Sequence, residues 1–504
     1  MQETLIEDLR KSYTMEWPSL LLGASKVGDD VYSDIPLRIP LKMLNRHWLI
    51  AGATGTWKTK TVQLLCEQLS LAWVPSLVMD IKGDLSGLAA AWDETNSHIQ
   101  KRHASLGFEY ESSDFAVELM NIWWTDEWVA LRTTITEFGP LLFSKILDLS
   151  SAQSGVMSMI FKYCDDHQLW LVNLDDVKTV LKYLSSKEWK KKFEADYGLI
   201  SSATTWALMR KIVWLEQQWA DTFFGEPSFE VWDLMSKWVI NIVRTMNLQK
   251  HPQLFSTFML SLLAEIYELF PEAGDLDAPR LMIVIDEAHL IFKHANEELV
   301  SQLETVVKLI RSKWVGVIFV TQLPDDIPDA VLSQLWLKIQ HQLRWVTARD
   351  RKAIEKAVEN YPVTDLYEPD RLIMELGIWE AFVTCLDEKW RPTPLVHTYL
   401  RAPMSRMDIL SPTEVSTLTS KSMLVQKYKT AIDPESAHEI LQQEIKKATE
   451  KSLDESESKD KKWTFDTIMK SKFASNIMKD MWNMLVRWAL WAVWLKIDGR
   501  RTFF

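Results

Sequence analysis

Short, unbroken apolar runs alternate along this chain with stretches that are apolar only at helical spacing. Trp48-Leu49-Ile50-Ala51, Leu77-Val78-Met79, Leu281–Ile285 and Val315–Val320 are bounded by polar or turn residues. Runs without alternation read as strands buried on both faces, the signature of a parallel sheet. Between them lie Val62–Leu71, Pro252–Phe270 and Glu297–Arg311. In the last of these, Leu299, Leu303, Val306, Val307 and Ile310 share one helix face. Strands alternating with helices predict an α/β fold with a mainly parallel sheet. Val239–Val243, Leu337–Leu343 and Ala381–Leu386 read as further strands.

The remaining segments read differently. Leu20-Leu21-Leu22 and Ile35–Leu41, with Gly and Pro between them, predict a small β-rich lead-in over residues 1–44. Residues 95–235 lack β-alternation and carry helical periods such as Leu141–Leu149 and Met157–Tyr163, so they read as a large, mainly helical insertion. The α/β core is then 45–94 together with 236–400. A C-terminal extension spans 401–448, and a charged, Ser-rich linker spans 449–465. An amphipathic helical tail over 466–504 ends the chain.

The chemistry begins after the first core strand. Gly52-Ala53-Thr54-Gly55-Thr56-Trp57-Lys58-Thr59 stands between the strand and an apolar helix. Strand, Gly-rich turn and helix is the context of a phosphate-binding P-loop, G-x-x-x-x-G-K-[ST]. Backbone N–H groups and the helix N-terminus would cradle the phosphates of ATP. Lys58 would reach the β- and γ-phosphates, and Thr59 would ligate Mg²⁺. A second signal is Leu281–Ile285 followed by Asp286-Glu287. Asp286 would hold the Mg²⁺ shell and Glu287 would polarise the attacking water; the plainer alternative is a helix cap. Gln322, following the strand Val315–Thr321, would bond the γ-phosphate or the attacking water and so report the nucleotide state; the plainer alternative is a satisfied strand-end amide. Asp80 ends another strand and reads equally as a crevice carboxylate or a loop cap. His47 reads as structural.

Composition narrows the class. The chain has 504 residues and a net charge of −12, so any nucleic-acid contact must be local. Cys66, Cys164 and Cys385 are far apart and fit neither a disulfide framework nor a zinc site, which predicts a reducing cytoplasmic location. No run reaches the length of a membrane span; the nearest, Met481–Leu495, carries Arg487 in its middle.

Glycine and tryptophan are out of proportion: 15 Gly against 25 Trp, where average usage gives roughly 35 Gly. The excess is positional. Trp57 occupies the second P-loop glycine, where the backbone must close on phosphate. Trp73 and Trp314 stand at helix ends, Trp379 and Trp390 in turns, and Trp488, Trp491 and Trp494 at spacings suited to a glycine-spaced helix. This pattern predicts that many of these positions are glycine in the cell, with UGA codons read as tryptophan. The alternative is a truly Trp-rich chain with a disabled P-loop.

Taken together, Asn45-Arg46-His47, the loop at 52–59, Asp80–Asp84, Ile285-Asp286-Glu287-Ala288-His289, Arg311-Ser312-Lys313 and Thr321-Gln322 resemble the HerA-like ATPases of the HerA–FtsK group over roughly residues 15–430. The resemblance implies a RecA-like P-loop NTPase that hydrolyses ATP with Mg²⁺ and forms a hexameric ring translocating double-stranded DNA. It also implies an arginine finger from the neighbouring subunit, matched by Arg311 and in second place by Arg344. A nuclease partner is implied by analogy. Related secretion and conjugation ATPases share the core, so a protein-directed motor is one alternative, and a non-hydrolysing nucleotide-binding assembly protein is another.

Overall fold

The computed structural model describes residues 2–122, 128–217, 222–245, 252–293, 297–344 and 348–447. The linker and tail expected at 449–504, with Trp488, Trp491 and Trp494, lie outside the described residues. The chain divides into a unit of residues 1–438 and another of 439–504.

The centre of the first unit is one twelve-stranded sheet. In chain order the strands are β1 Ser19–Val27, β2 Asp30–Pro40, β3 Trp48–Ala51, β4 Ser76–Asp80, β5 Val117–Asn121, β6 Val129–Ala130, β7 Ile240–Arg244, β8 Leu281–Ile285, β9 Val315–Thr321, β10 Leu337–Gln340, β11 Glu380–Thr384 and β12 Val396–Leu400. Their order across the sheet is β2-β1-β12-β11-β10-β3-β9-β8-β4-β7-β5-β6. From β10 to β6 neighbours run parallel; from β2 to β10 they run antiparallel. β3, β4, β8 and β9 are buried at every position. Their lack of alternation follows from having a helical layer on each face. β2 is an edge strand, and there Ile35, Leu37 and Ile39 are buried while the intervening Pro36 and Arg38 are not.

Two expectations need refinement. The lead-in is not purely β: a helix, Gln2–Tyr13, precedes β1 and buries Leu9 and Tyr13. Its strands belong to the main sheet through the pairing of β1 with β12. Among the described residues of 95–235, six α-helices dominate, but β5 and β6 extend the sheet beyond β7. Their five and two residues are too short to show a period against the helical background.

The helix after the P-loop, Lys58–Leu71, is clamped by the segment that follows β12. Glu67 is fully buried and accepts from the backbone N–H groups of Met404 and Ser405 at 2.8 and 2.9 Å. Burial raises its carboxyl to about 7 despite these bonds. Gln63 donates to Ser405 Oγ, and Lys60 to the Met407 carbonyl. The helix that the loop at 52–57 leads into is thereby tied to residues nearly 350 positions later.

Backbone strain is concentrated in one residue type. Among the described residues, ten non-glycine residues have positive φ, and six of them are Trp57, Trp73, Trp238, Trp314, Trp379 and Trp390. A left-handed conformation costs a residue with a Cβ about 1–2 kcal/mol.

Candidate nucleotide-binding site

The carboxyl ends of β3, β4, β8, β9 and β10 share one edge of the sheet, where α/β folds place their ligand crevice. The loop from Gly52 leaves β3 between its two parallel neighbours. Gly52 N–H donates to the Gln322 carbonyl at 3.2 Å, and Ala53 N–H to the Gln342 carbonyl at 2.9 Å. The loop is therefore pinned from both sides. A Cβ on Gly52 would stand 2.6 Å from His341 Cβ, so only glycine fits. Gly55 meets no such crowding and is required for its φ of +79°.

Lys58 opens the helix and is buried. Its ammonium donates to the carbonyls of Gly52 at 2.6 Å and Ala53 at 3.1 Å, folding across the loop. Burial, then the nearby Lys82 charge, lowers it to about 8. Thr56 Oγ1 donates to the Ala53 carbonyl, and Thr59 lies half-buried at the helix start. Trp57 is the helix N-cap at φ 70°, ψ 20°, and its ring meets that of Trp379 edge-on at 5.4 Å.

Asp286 and Glu287 follow β8, and both are buried. Burial raises Asp286 to about 6. Glu287 has the opposite shift: burial raises it, but His289 and Lys82 outweigh burial and hold it near 2. Lys82 Nζ lies 3.1 Å from Glu287 and 3.7 Å from Asp286. Glu287 stands at φ 45°, a strained conformation of the kind that collects at functional sites, and its Oε2 lies 3.3 Å from His289 Nδ1. Such a carboxylate stays ionised at neutral pH.

Gln322 is exposed beside the loop its carbonyl holds. The hydroxyl of Thr321, by contrast, is used within the chain, donating to Asp326 at 2.8 Å. Asp80 accepts from the N–H groups of Gly83 and Leu85, so it caps its own loop. That bend carries Lys82 to the acidic pair. His47 is structural: it accepts Val317 N–H on Nδ1, leaving Nε2–H to donate to the Val307 carbonyl.

The two arginines lie apart. Arg311 precedes β9, whereas the P-loop side of the sheet follows it. Seven residues of strand separate them, roughly 23 Å. Arg311 therefore does not reach the loop of its own chain. Arg344 follows β10 on the loop side, and its Nε donates weakly to Gln342 Oε1 at 3.4 Å. Sequence reasoning gave no role to Lys82, His289 or His341. The last is buried beneath the loop, bonding Thr61 Oγ1 at 2.9 Å and the Glu380 carbonyl at 3.1 Å. The signal for Lys82 was its place between Asp80 and Asp84, one loop from the nucleotide crevice.

The family described as "Helicase HerA-like C-terminal" matches residues 26–485. The chain belongs to the HerA-like helicase family. It is 25% identical over 357 residues to the DNA double-strand break repair helicase HerA of Sulfurisphaera tokodaii, covering 67% of this chain and 63% of that protein. This HerA-like chain thus spans under two thirds of that relative's length. Its fold is similar to the bacterial conjugative coupling protein TrwB in complex with sulphate (TM-score 0.51, 13% identity, 80% of this chain and 94% of that chain). It is also similar to TrwB in complex with the non-hydrolysable ATP analogue ADPNP (TM-score 0.50, 13% identity, 80% and 95%). The fold is the RecA-like P-loop α/β fold expected.

Of the two loop glycines, Gly52 is the one whose replacement by Ala meets a neighbouring residue, His341. Gly52→Ala should lower affinity for a fluorescent ATP analogue at least tenfold while the far-ultraviolet circular dichroism stays unchanged. Unaltered affinity would show that the close packing against His341 does not shape the loop.

Proposed function

We propose that this chain is an ATP-hydrolysing HerA-like motor that assembles as a ring, a hexamer, and translocates double-stranded DNA. The observation that carries the reading is the juxtaposition, at one sheet edge, of the pinned loop with Lys58 and the ionised, buried Glu287.

The residues fit ATP and Mg²⁺. Gly52, Ala53, Thr54, Gly55, Thr56 and residue 57 would surround the phosphates, with Lys58 on the β- and γ-phosphates. Thr59 and Asp286 would hold Mg²⁺, which when bound neutralises charge developing on the transferred phosphoryl group. Glu287 would take a proton from the attacking water, its charge maintained by Lys82 and His289. Gln322 would report the state of the γ-phosphate. Arg311, out of reach of its own loop, suits a finger acting in the neighbouring subunit; Arg344 is the second candidate. The buried cysteines, whose thiols burial pushes up to about 12, suit a cytoplasmic protein. Among the described residues, no helix is long and apolar enough to cross a membrane.

A second reading rests on Trp57. If the indole is real, it crowds the phosphate cradle, and a nucleotide-binding assembly protein without turnover fits better. The likeness to TrwB keeps open a third reading, a motor serving conjugation or protein secretion.

Glu287→Gln should keep ATP binding and lose about 100-fold or more of turnover. Turnover at the parental rate would remove Glu287 from its role.

Mixing Arg311→Ala with Lys58→Ala subunits should restore part of the activity each lacks alone, since some interfaces then pair an intact loop with an intact finger. No rescue, in a preparation shown to exchange subunits, would argue against action in trans.

A further inference from the structure

We propose that residues 57, 73, 238, 314, 379 and 390 are glycines in the protein as the cell makes it, each read from a UGA codon that the source organism assigns to glycine. The proposal concerns residue identity and does not depend on the motor reading.

Each of the six tryptophans sits in a backbone device built on a left-handed residue, and the devices differ. Trp57 caps the P-loop helix at φ 70°, ψ 20°. Trp73 follows the same helix at φ 62°, with Val74 N–H bonding the Leu69 carbonyl and Trp73 N–H the Ser70 carbonyl. Those two bonds define a Schellman motif, whose C′ position is usually glycine. Trp238, at φ 59°, is the third residue of a turn closed by Val239 N–H on the Ser236 carbonyl. Trp379, at φ 61°, is the third residue of another, closed by Glu380 N–H on the Gly377 carbonyl. Positive φ there is the type II requirement for glycine. Trp314 ends a helix at φ 59°, ψ 38°. Trp390, at φ 64°, ends a turn closed by its own N–H on the Asp387 carbonyl, and Asp387 N–H then pairs with Arg391. That is a three-residue hairpin between β11 and β12 with a G1 bulge, where the left-handed residue is glycine.

The side chains add a second argument. Trp73 is 61% exposed and Trp238 44%, with their rings packed on each other rather than into the core. Trp379 buries its indole N–H without a partner. Packing accounts for a buried tryptophan such as Trp314, which is 5% exposed, but not for the pattern of positions. It would not place six copies at left-handed turn positions, where bulky residues are genuine outliers. A single codon reassignment accounts for all six, because one genetic code reads UGA as glycine and another reads it as tryptophan. The same change restores glycine at residue 57 and completes G-x-x-x-x-G-K-T.

Two measurements decide it. The gene should carry UGA at all six positions; UGG at position 57 overturns the proposal. Trypsin releases His47–Lys58 from the native protein purified from its source organism, and tandem mass spectrometry should read glycine at position 57. Tryptophan there overturns it. Neither readout depends on activity, so a catalytically inert protein would not affect the result.

Discussion

The site depends on how closely one stretch of backbone can approach its neighbours. β3 is short, and its loop turns out of the sheet between the carbonyls of Gln322 and Gln342, with Gly52 against His341. The two carbonyls lie just past the ends of β9 and β10, the strands flanking β3 on either side. Loop shape is therefore an output of the parallel register, and a side chain at residue 52 would break both. The Glu67 clamp extends the constraint to the far end of the unit by fixing the helix that the loop starts.

The acidic pair is shaped by competition between burial and charge. Asp286 and Glu287 are adjacent and similarly buried, yet they shift in opposite directions. Glu287 has Lys82 and His289 within 3.3 Å, while Lys82 lies farther from Asp286. Asp80, by capping the loop that presents Lys82, shapes the same site without entering it. Of the two, Glu287 is the one its neighbours keep ionised in a buried setting.

Much of this was legible in the residues. The buried parallel strands announced themselves as unbroken apolar runs, and the loop and the Asp-Glu pair by motif in the right context. β5, β6 and the first helix were not, because elements of a few residues, or with three buried positions in twelve, carry little periodic signal. His341 was invisible, and Lys82 was marked only by its place between Asp80 and Asp84, for a different reason: their contacts arise from strands adjacent in the sheet but distant in sequence. The tryptophans were legible by position, and the backbone angles turn that positional oddity into a physical argument, since φ is set by the turn rather than by the residue written there.

The claim at the centre is that nucleotide turnover at this sheet edge drives movement along DNA. Steady-state ATP hydrolysis by the purified native protein, with and without double-stranded DNA, tests it most directly. The account predicts magnesium-dependent hydrolysis that rises severalfold when DNA is added. Hydrolysis indifferent to DNA, or none at all in a chain with glycine at position 57, would contradict it.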